Sequence, residues 1–129
     1  MARQLVTYRD LDVWQKSVEL VVNVYTLTKT FPDSERFGLI PQMQRAAVSI
    51  PANIAEGYGR AHRREYVQHL SIAKGSLAEL ETHLIISGKL KYVTRSQCRD
   101  IWKLAQDIGK MLAKLIAALS GTSEKGPKP

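Results

Sequence analysis

No proline falls between Ala52 and Gly126; the five in the chain stand at positions 32, 41, 51, 127 and 129. Proline fixes φ and removes a backbone donor, so so long a stretch without one is free to run in long helices. Alternation of apolar and polar residues bounded by turns, the mark of a half-buried strand, is nearly absent. The periodicity is helical and predicts four helices near residues 10–30, 39–58, 63–89 and 94–119. The expected fold is all-α, an up-and-down antiparallel four-helix bundle over residues 1–120. The last residues, 121–129, carry Gly, Ser, Thr, Lys and Pro without periodicity and read as a flexible tail.

Each segment carries its own signals. The first helix has two apolar seams, one through Leu11, Trp14, Val18, Val21 and Tyr25, the other through Val13, Ser17, Leu20, Val24 and Leu27. They lie roughly 120° apart on a wheel of ~100° per residue, so this helix touches two neighbours. Phe31-Pro32 stops it. In the second helix Pro41 fits the first turn and Pro51, in the interior, is expected to kink it. Its middle is rich in small residues, and Arg45, Ser49, Asn53, Glu56 and Arg60 share one polar face. Gly57 and Gly59 are expected to end it by allowing positive φ. The third helix has a core stripe of Tyr66, Leu70, Ala73, Leu77, Leu80 and Leu84 and a stop at Gly88-Lys89. Thr94 and Gln97 form a capping-box pattern ahead of the fourth helix, whose apolar face is Ile101, Leu104, Ile108, Met111, Leu112, Leu115 and Leu119.

Of 129 residues, 44% are hydrophobic and 24% charged, the balance of a folded globular chain. A single cysteine, Cys98, excludes a disulfide framework and a multi-cysteine zinc site, and is expected to be a small buried hydrophobe. No apolar run approaches the ~18–20 residues of a membrane span. The first residues lack the apolar core of a signal peptide, so the expected address is the cytoplasm. The net charge of +7 is unevenly placed: residues 1–59 hold 6 basic and 6 acidic side chains, residues 60–129 hold 13 and 6. Such asymmetry points to a polyanionic partner, nucleic acid ahead of an anionic membrane.

Signs of catalysis are sparse. His62, His69 and His83 are spaced 7 and 14 apart; a spacing of 7 is ~10.5 Å of helical rise, too far for one metal ion. Glu79 and His83 are one turn apart, but two ligands do not make a site. Glu79 and Glu81 point to different faces, and no nucleophile elbow, Walker loop or zincin helix is present. Glu56 sits among Ala52, Ala55 and Gly57. Arg45 and Arg60 can both reach its face, and between a catalytic acid and a structural ion pair, with Arg45 as the candidate partner, the ion pair is preferred, because a buried carboxylate needs such partners. The expectation is a protein without catalytic residues, cofactor or metal.

Several runs are distinctive: Leu11-Asp12-Val13-Trp14-Gln15-Lys16, then Glu35-Arg36-Phe37-Gly38-Leu39, then Gln44-Arg45-Ala46-Ala47-Val48-Ser49-Ile50-Pro51-Ala52-Asn53-Ile54-Ala55-Glu56-Gly57, and Ile72-Ala73-Lys74-Gly75-Ser76-Leu77-Ala78-Glu79-Leu80-Glu81. Over about residues 8–118 the chain resembles the four-helix-bundle family encoded within intervening sequences of bacterial 23S ribosomal RNA genes. The resemblance implies an up-and-down bundle assembled as a ring-like homopentamer. A related branch, the accessory variability determinant of diversity-generating retroelements, is a basic pentamer that binds nucleic acid and a reverse transcriptase.

The expected function is a homo-oligomeric bundle that binds nucleic acid, RNA ahead of DNA, through phosphates and without base specificity. Its rival is an oligomeric scaffold for a protein partner such as a reverse transcriptase. Candidate contacts are Arg60, Arg63 and Arg64 at the entry of the third helix, where free N–H groups favour anions. Arg95, Arg99, Lys103, Lys110 and Lys114 form a second set, on a strip about 100° wide along the fourth helix.

Overall fold

The computed structural model describes residues 7–121, so the expected tail, apart from Gly121, lies outside them. Among the described residues there are four α-helices and no strand: α1 (Asp12–Thr28), α2 (Leu39–Tyr58), α3 (Arg63–Lys89) and α4 (Arg95–Leu119). Helix α1 packs on α2, α2 on α3, α3 on α4, and α4 on α1, which closes the ring. Contacts of Met43 with Ser87, Ser49 with Ser76 and Asn53 with His69 run in opposite chain directions, so α2 and α3 are antiparallel. The chain is the up-and-down bundle that its periodicity predicts.

Helix boundaries follow local chemistry. Helix α1 starts two residues later than its apolar pattern predicts because Thr7 and Asp10 close a capping box around a separate 3-10 turn, Tyr8–Asp10. It ends two residues earlier than predicted: Thr30 and Phe31 donate to carbonyls three residues back, ahead of Pro32. Helix α2 continues through Pro51, which is buried. The N-terminus of α2 is satisfied from outside the helix. Leu39 N–H donates to Glu35 Oε1 at 2.9 Å, and the Tyr92 hydroxyl donates to Glu35 Oε2 at 2.8 Å. These two donors hold the Glu35 carboxyl below the usual carboxylate range, and in return the Glu35 hydrogen bond pushes the Tyr92 phenol up. One carboxylate thus joins the start of α2 to the α3–α4 turn. Thr94 and Gln97 cap α4 reciprocally, as their spacing predicts, at 3.1 and 2.7 Å.

The second seam of α1, Val13 to Leu27, is fully inside, with Leu20 and Val24 at zero exposure. Its other seam is split: Leu11, Trp14 and Val21 pack on the core, whereas Tyr25 is exposed. Leu20, Met43, Ile50, Ile54, Leu70, Leu80, Ile108 and Leu112 are the largest fully buried apolar side chains. Truncating any one to alanine removes about 2–5 kcal/mol. The buried hydroxyls are paired: Ser17 donates to Trp14 O, and Thr28 donates to Tyr25 O and accepts from Gln44.

Glycine plays a different part from the one expected at the end of α2. Gly59 has φ −82°, an ordinary right-handed value. Gly57 is buried within the helix, and a Cβ there would lie 2.7 Å from His69 Cβ, 3.0 Å from Tyr66 Cδ1 and 3.2 Å from Tyr66 O. Its role is close approach of α2 to α3. The left-handed residue after α3 is Lys91, at φ 65°, not Gly88. Tyr92 N–H donates to Ser87 O and Lys91 N–H to Gly88 O, both at 3.0 Å, the paired bonds of a Schellman turn with lysine where glycine is usual. After α4, Gly121 takes the left-handed position at φ 68°.

Two stability outcomes follow. Gly57→Ala gains about 1 kcal/mol of helix propensity but meets a Cβ and a backbone oxygen that cannot rotate away. It should lower the urea midpoint, whereas Gly75→Ala, whose Cβ enters open space, should raise it. Lys91→Gly removes left-handed strain and should stabilise the fold by about 0.5–1 kcal/mol in the same measurement.

Candidate nucleic-acid interface

Helix α4 separates its two chemistries cleanly. Ile101, Ala105, Ile108 and Leu112 are buried, and Leu104, Met111 and Leu115 pack on the core from its edges. Arg95, Arg99, Lys103, Lys110 and Lys114 are all exposed. Among the described residues the only ion pairs are Arg60–Glu56 and His83–Glu79, so none of these five cations has a carboxylate partner. A row of unpaired cations in water holds mobile counterions that a polyanion can displace.

Beside this strip the seam between α3 and α4 opens into two cavities placed end to end. The upper one, about 680 Å³, is lined by Ile85, Gly88, Lys89, Arg95, Arg99 and Trp102 among others. The lower, about 690 Å³, begins one turn further on at Gln106 and includes Lys74, Gly75 and Lys110. In the lower cavity Glu81 accepts a hydrogen bond from Gln106 Nε2 at 2.8 Å. Cys98 is half-buried on the upper wall, where burial pushes its thiol up and away from the reactive thiolate. The seam therefore gathers Arg95, Arg99 and Lys110 from the predicted strip and leaves Lys103 and Lys114 on its outer flank. It also brings in Lys74, Lys89 and Trp102, which sequence reasoning missed. The signal for Trp102 was its place off the apolar face, about 20° from Arg95 on the helical wheel.

The second predicted cluster is differently made. Arg60, Arg63 and Arg64 are exposed at the entry of α3. Arg60 Nη2 lies 2.7 Å from Glu56 Oε2, one turn back on α2, so its charge is already engaged. The pair expected between Arg45 and Glu56 does not form. Eleven residues in a helix are ~16 Å of rise, and the Glu56 side chain is 55% exposed, not buried. The entry of α3 has no side-chain cap, which leaves the N–H groups of Arg63 and Arg64 facing outward.

The remaining polar face of α2 turns to α3. Asn53 Nδ2 donates to Ser49 O and Oγ at 2.9 and 3.0 Å, and Ser49 Oγ is 2.8 Å from Ser76 Oγ. With Asn53 oriented by these bonds, its Oδ1 must accept from His69 Nδ1 at 3.0 Å. His69 is thus a structural donor between helices. His83 is buried, with Nε2 3.4 Å from Glu79 Oε2 and Nδ1 without a partner. No group of three potential metal ligands occurs among the described residues, and no helix there is long and apolar enough to cross a membrane.

Comparison with known proteins agrees with this architecture. The chain is similar to a protein of unknown function from the S23 ribosomal protein family of Bacteroides thetaiotaomicron. The two are 29% identical with a TM-score of 0.73, over 81% of this chain and 97% of that one. No curated protein matches it. Residues 9–114, which hold the whole of α1, α2 and α3 and most of α4, match the family described as 23S rRNA-intervening sequence protein, and the chain belongs to that family.

Proposed function

We propose that the protein is a non-enzymatic, homo-oligomeric bundle that binds nucleic acid, RNA foremost, through phosphates and without reading base sequence. The observation that carries this reading is the row of five exposed α4 cations with no carboxylate partner among the described residues. Each phosphate that such a cation neutralises releases condensed counterions, which supplies affinity independent of sequence. Arg63 and Arg64, beside the uncapped start of α3, add a second basic group. The charge excess lies in α3, α4 and the residues around them, while residues 1–59 are neutral overall.

The neutral half is suited to self-association. Val22, Tyr25 and Val48 are 58%, 42% and 41% exposed on α1 and α2. Tyr25 and Val48 also line a cavity of about 430 Å³ with Pro41 and Arg45. In a ring the basic strip would repeat once per subunit, and several weak phosphate contacts on one strand would act together.

Labelled RNA titrated at rising salt should show affinity falling steeply with salt. Replacing Arg99, Lys103 and Lys110 together by Gln should leave the fold intact, weaken binding to unrelated RNAs similarly, and flatten that slope. Parent-like binding by the triple variant at every salt concentration would remove α4 as the surface; no RNA binding by the parent would favour a scaffold for a protein partner. Sedimentation should show an oligomer at micromolar concentration that the double variant Tyr25→Lys, Val48→Lys dissociates. A parent that sediments only as monomer would refute self-association.

A further inference from the structure

The geometry points to the α3–α4 seam as a binding groove for single-stranded nucleic acid, with unpaired bases seated on Trp102 and phosphates on the cations along its rim. This rests on the nucleic-acid reading and adds which form of the polymer is bound and where. Duplexes hide their base faces, so an exposed aromatic beside a cationic row gains affinity only from unpaired bases.

Three independent observations meet here. First, Trp102 is 37% exposed and lines the upper cavity with Ile85, itself 50% exposed. A large indole left open to water is matched by a flat apolar ligand, and a nucleobase is one. Second, the charge is complementary to a backbone that tracks the seam. Lys89, Arg95 and Arg99 border the upper half and Lys74 and Lys110 the lower, five cations against the one carboxylate of Glu81, which accepts from Gln106. From Arg95 to Ala113 the two cavities follow ~27 Å of helix, the length of about eight stacked nucleotides at ~3.4 Å each, and a strand tracking both passes over the Gln106–Glu81 hydrogen bond that crosses the seam between them. Third, α3 carries two glycines that its own packing does not require. A Cβ at Gly75 or at Gly88 would meet nothing within 4 Å, unlike Gly57, where space is forbidden. Glycine within a helix costs about 1 kcal/mol relative to alanine. Both residues line the groove, one in each half, and bare backbone there lets a ligand lie closer to the helix.

The test uses the full chain carrying Trp14→Phe, which leaves Trp102 as the sole tryptophan, and an oligoadenylate of about eight nucleotides, the length the groove accommodates. The oligonucleotide should quench Trp102 fluorescence, and inorganic polyphosphate, which has charge but no bases, should bind without quenching. Trp102→Ala should weaken oligonucleotide binding about 5- to 150-fold at fixed salt and leave the salt slope unchanged. Arg95→Gln with Arg99→Gln should flatten the slope. Gly88→Met, whose side chain enters open space beside Trp102, should weaken binding without lowering thermal stability. A GC-rich RNA duplex should bind more weakly than the single strand.

Equal binding by parent, Trp102→Ala and Gly88→Met would overturn the groove and leave phosphate binding elsewhere intact. Duplex binding as tight as single-strand binding would do the same. Dissociation of the oligomer by Trp102→Ala would make the seam a subunit contact and overturn the inference. Absence of any RNA binding by the parent would overturn the broader reading with it.

Discussion

Helices α2 and α3 approach so closely that a methyl group at Gly57 would touch the His69 Cβ at 2.7 Å. Everything else in the bundle is arranged around that approach. Ala46 lies on the same side of α2 as Gly57 and keeps that surface low, and the hydroxyl, amide and imidazole groups of Ser49, Ser76, Asn53 and His69 bridge the two helices. The polar bridge has a second effect. Each of its bonds is satisfied only in one relative position of the two helices, so it sets register, whereas apolar packing alone tolerates sliding. With α2 and α3 locked, α1 and α4 close the ring by burying long aliphatic side chains.

The division of labour between the two halves of the molecule follows. In α4 the apolar residues that face the core and the cations that face water lie on opposite sides, and the capping box at Thr94 and Gln97 starts the helix in the phase that keeps them there. The α3–α4 seam is open at Gly75 and Gly88, where a Cβ would meet nothing within 4 Å, and closes only at Gly109, where it would lie 3.3 Å from Leu77 Cδ2. The same residue type thus closes one groove and leaves another open, and only the neighbouring helix distinguishes the two uses.

Much of this was legible in the sequence. The 3.6-residue periodicity located all four helices, and α2 and α3 agree with it at both ends, because long amphipathic segments leave little choice, in α2 even across Pro51. The capping box of α4 was readable for the same local reason. What sequence could not show depended on partners distant along the chain. Glu56 reads as a buried acid from its alanine neighbours, yet it faces water, where Arg60 one turn away takes it ahead of Arg45. Gly57 and Gly59 look like a helix stop, but contact with α3 explains Gly57. Glu35 caps α2 while held by a tyrosine 57 residues further on. Trp102 and Lys89 join one rim only because α3 and α4 are antiparallel.

The ring order of the helices also bears on how the chain reaches this state. Nearly every packed pair joins helices adjacent in sequence, and α1 with α4 is the exception. Bringing two segments together costs loop entropy that grows with the length between them. The α2–α3 hairpin has only residues 59–62 to order and the tightest interface to gain, whereas the contact of α1 with α4 encloses most of the chain. Ranked by entropy cost, the hairpin comes first and the closing contact last. Such local topology belongs with the fast-folding helical bundles, on a timescale of roughly microseconds to milliseconds.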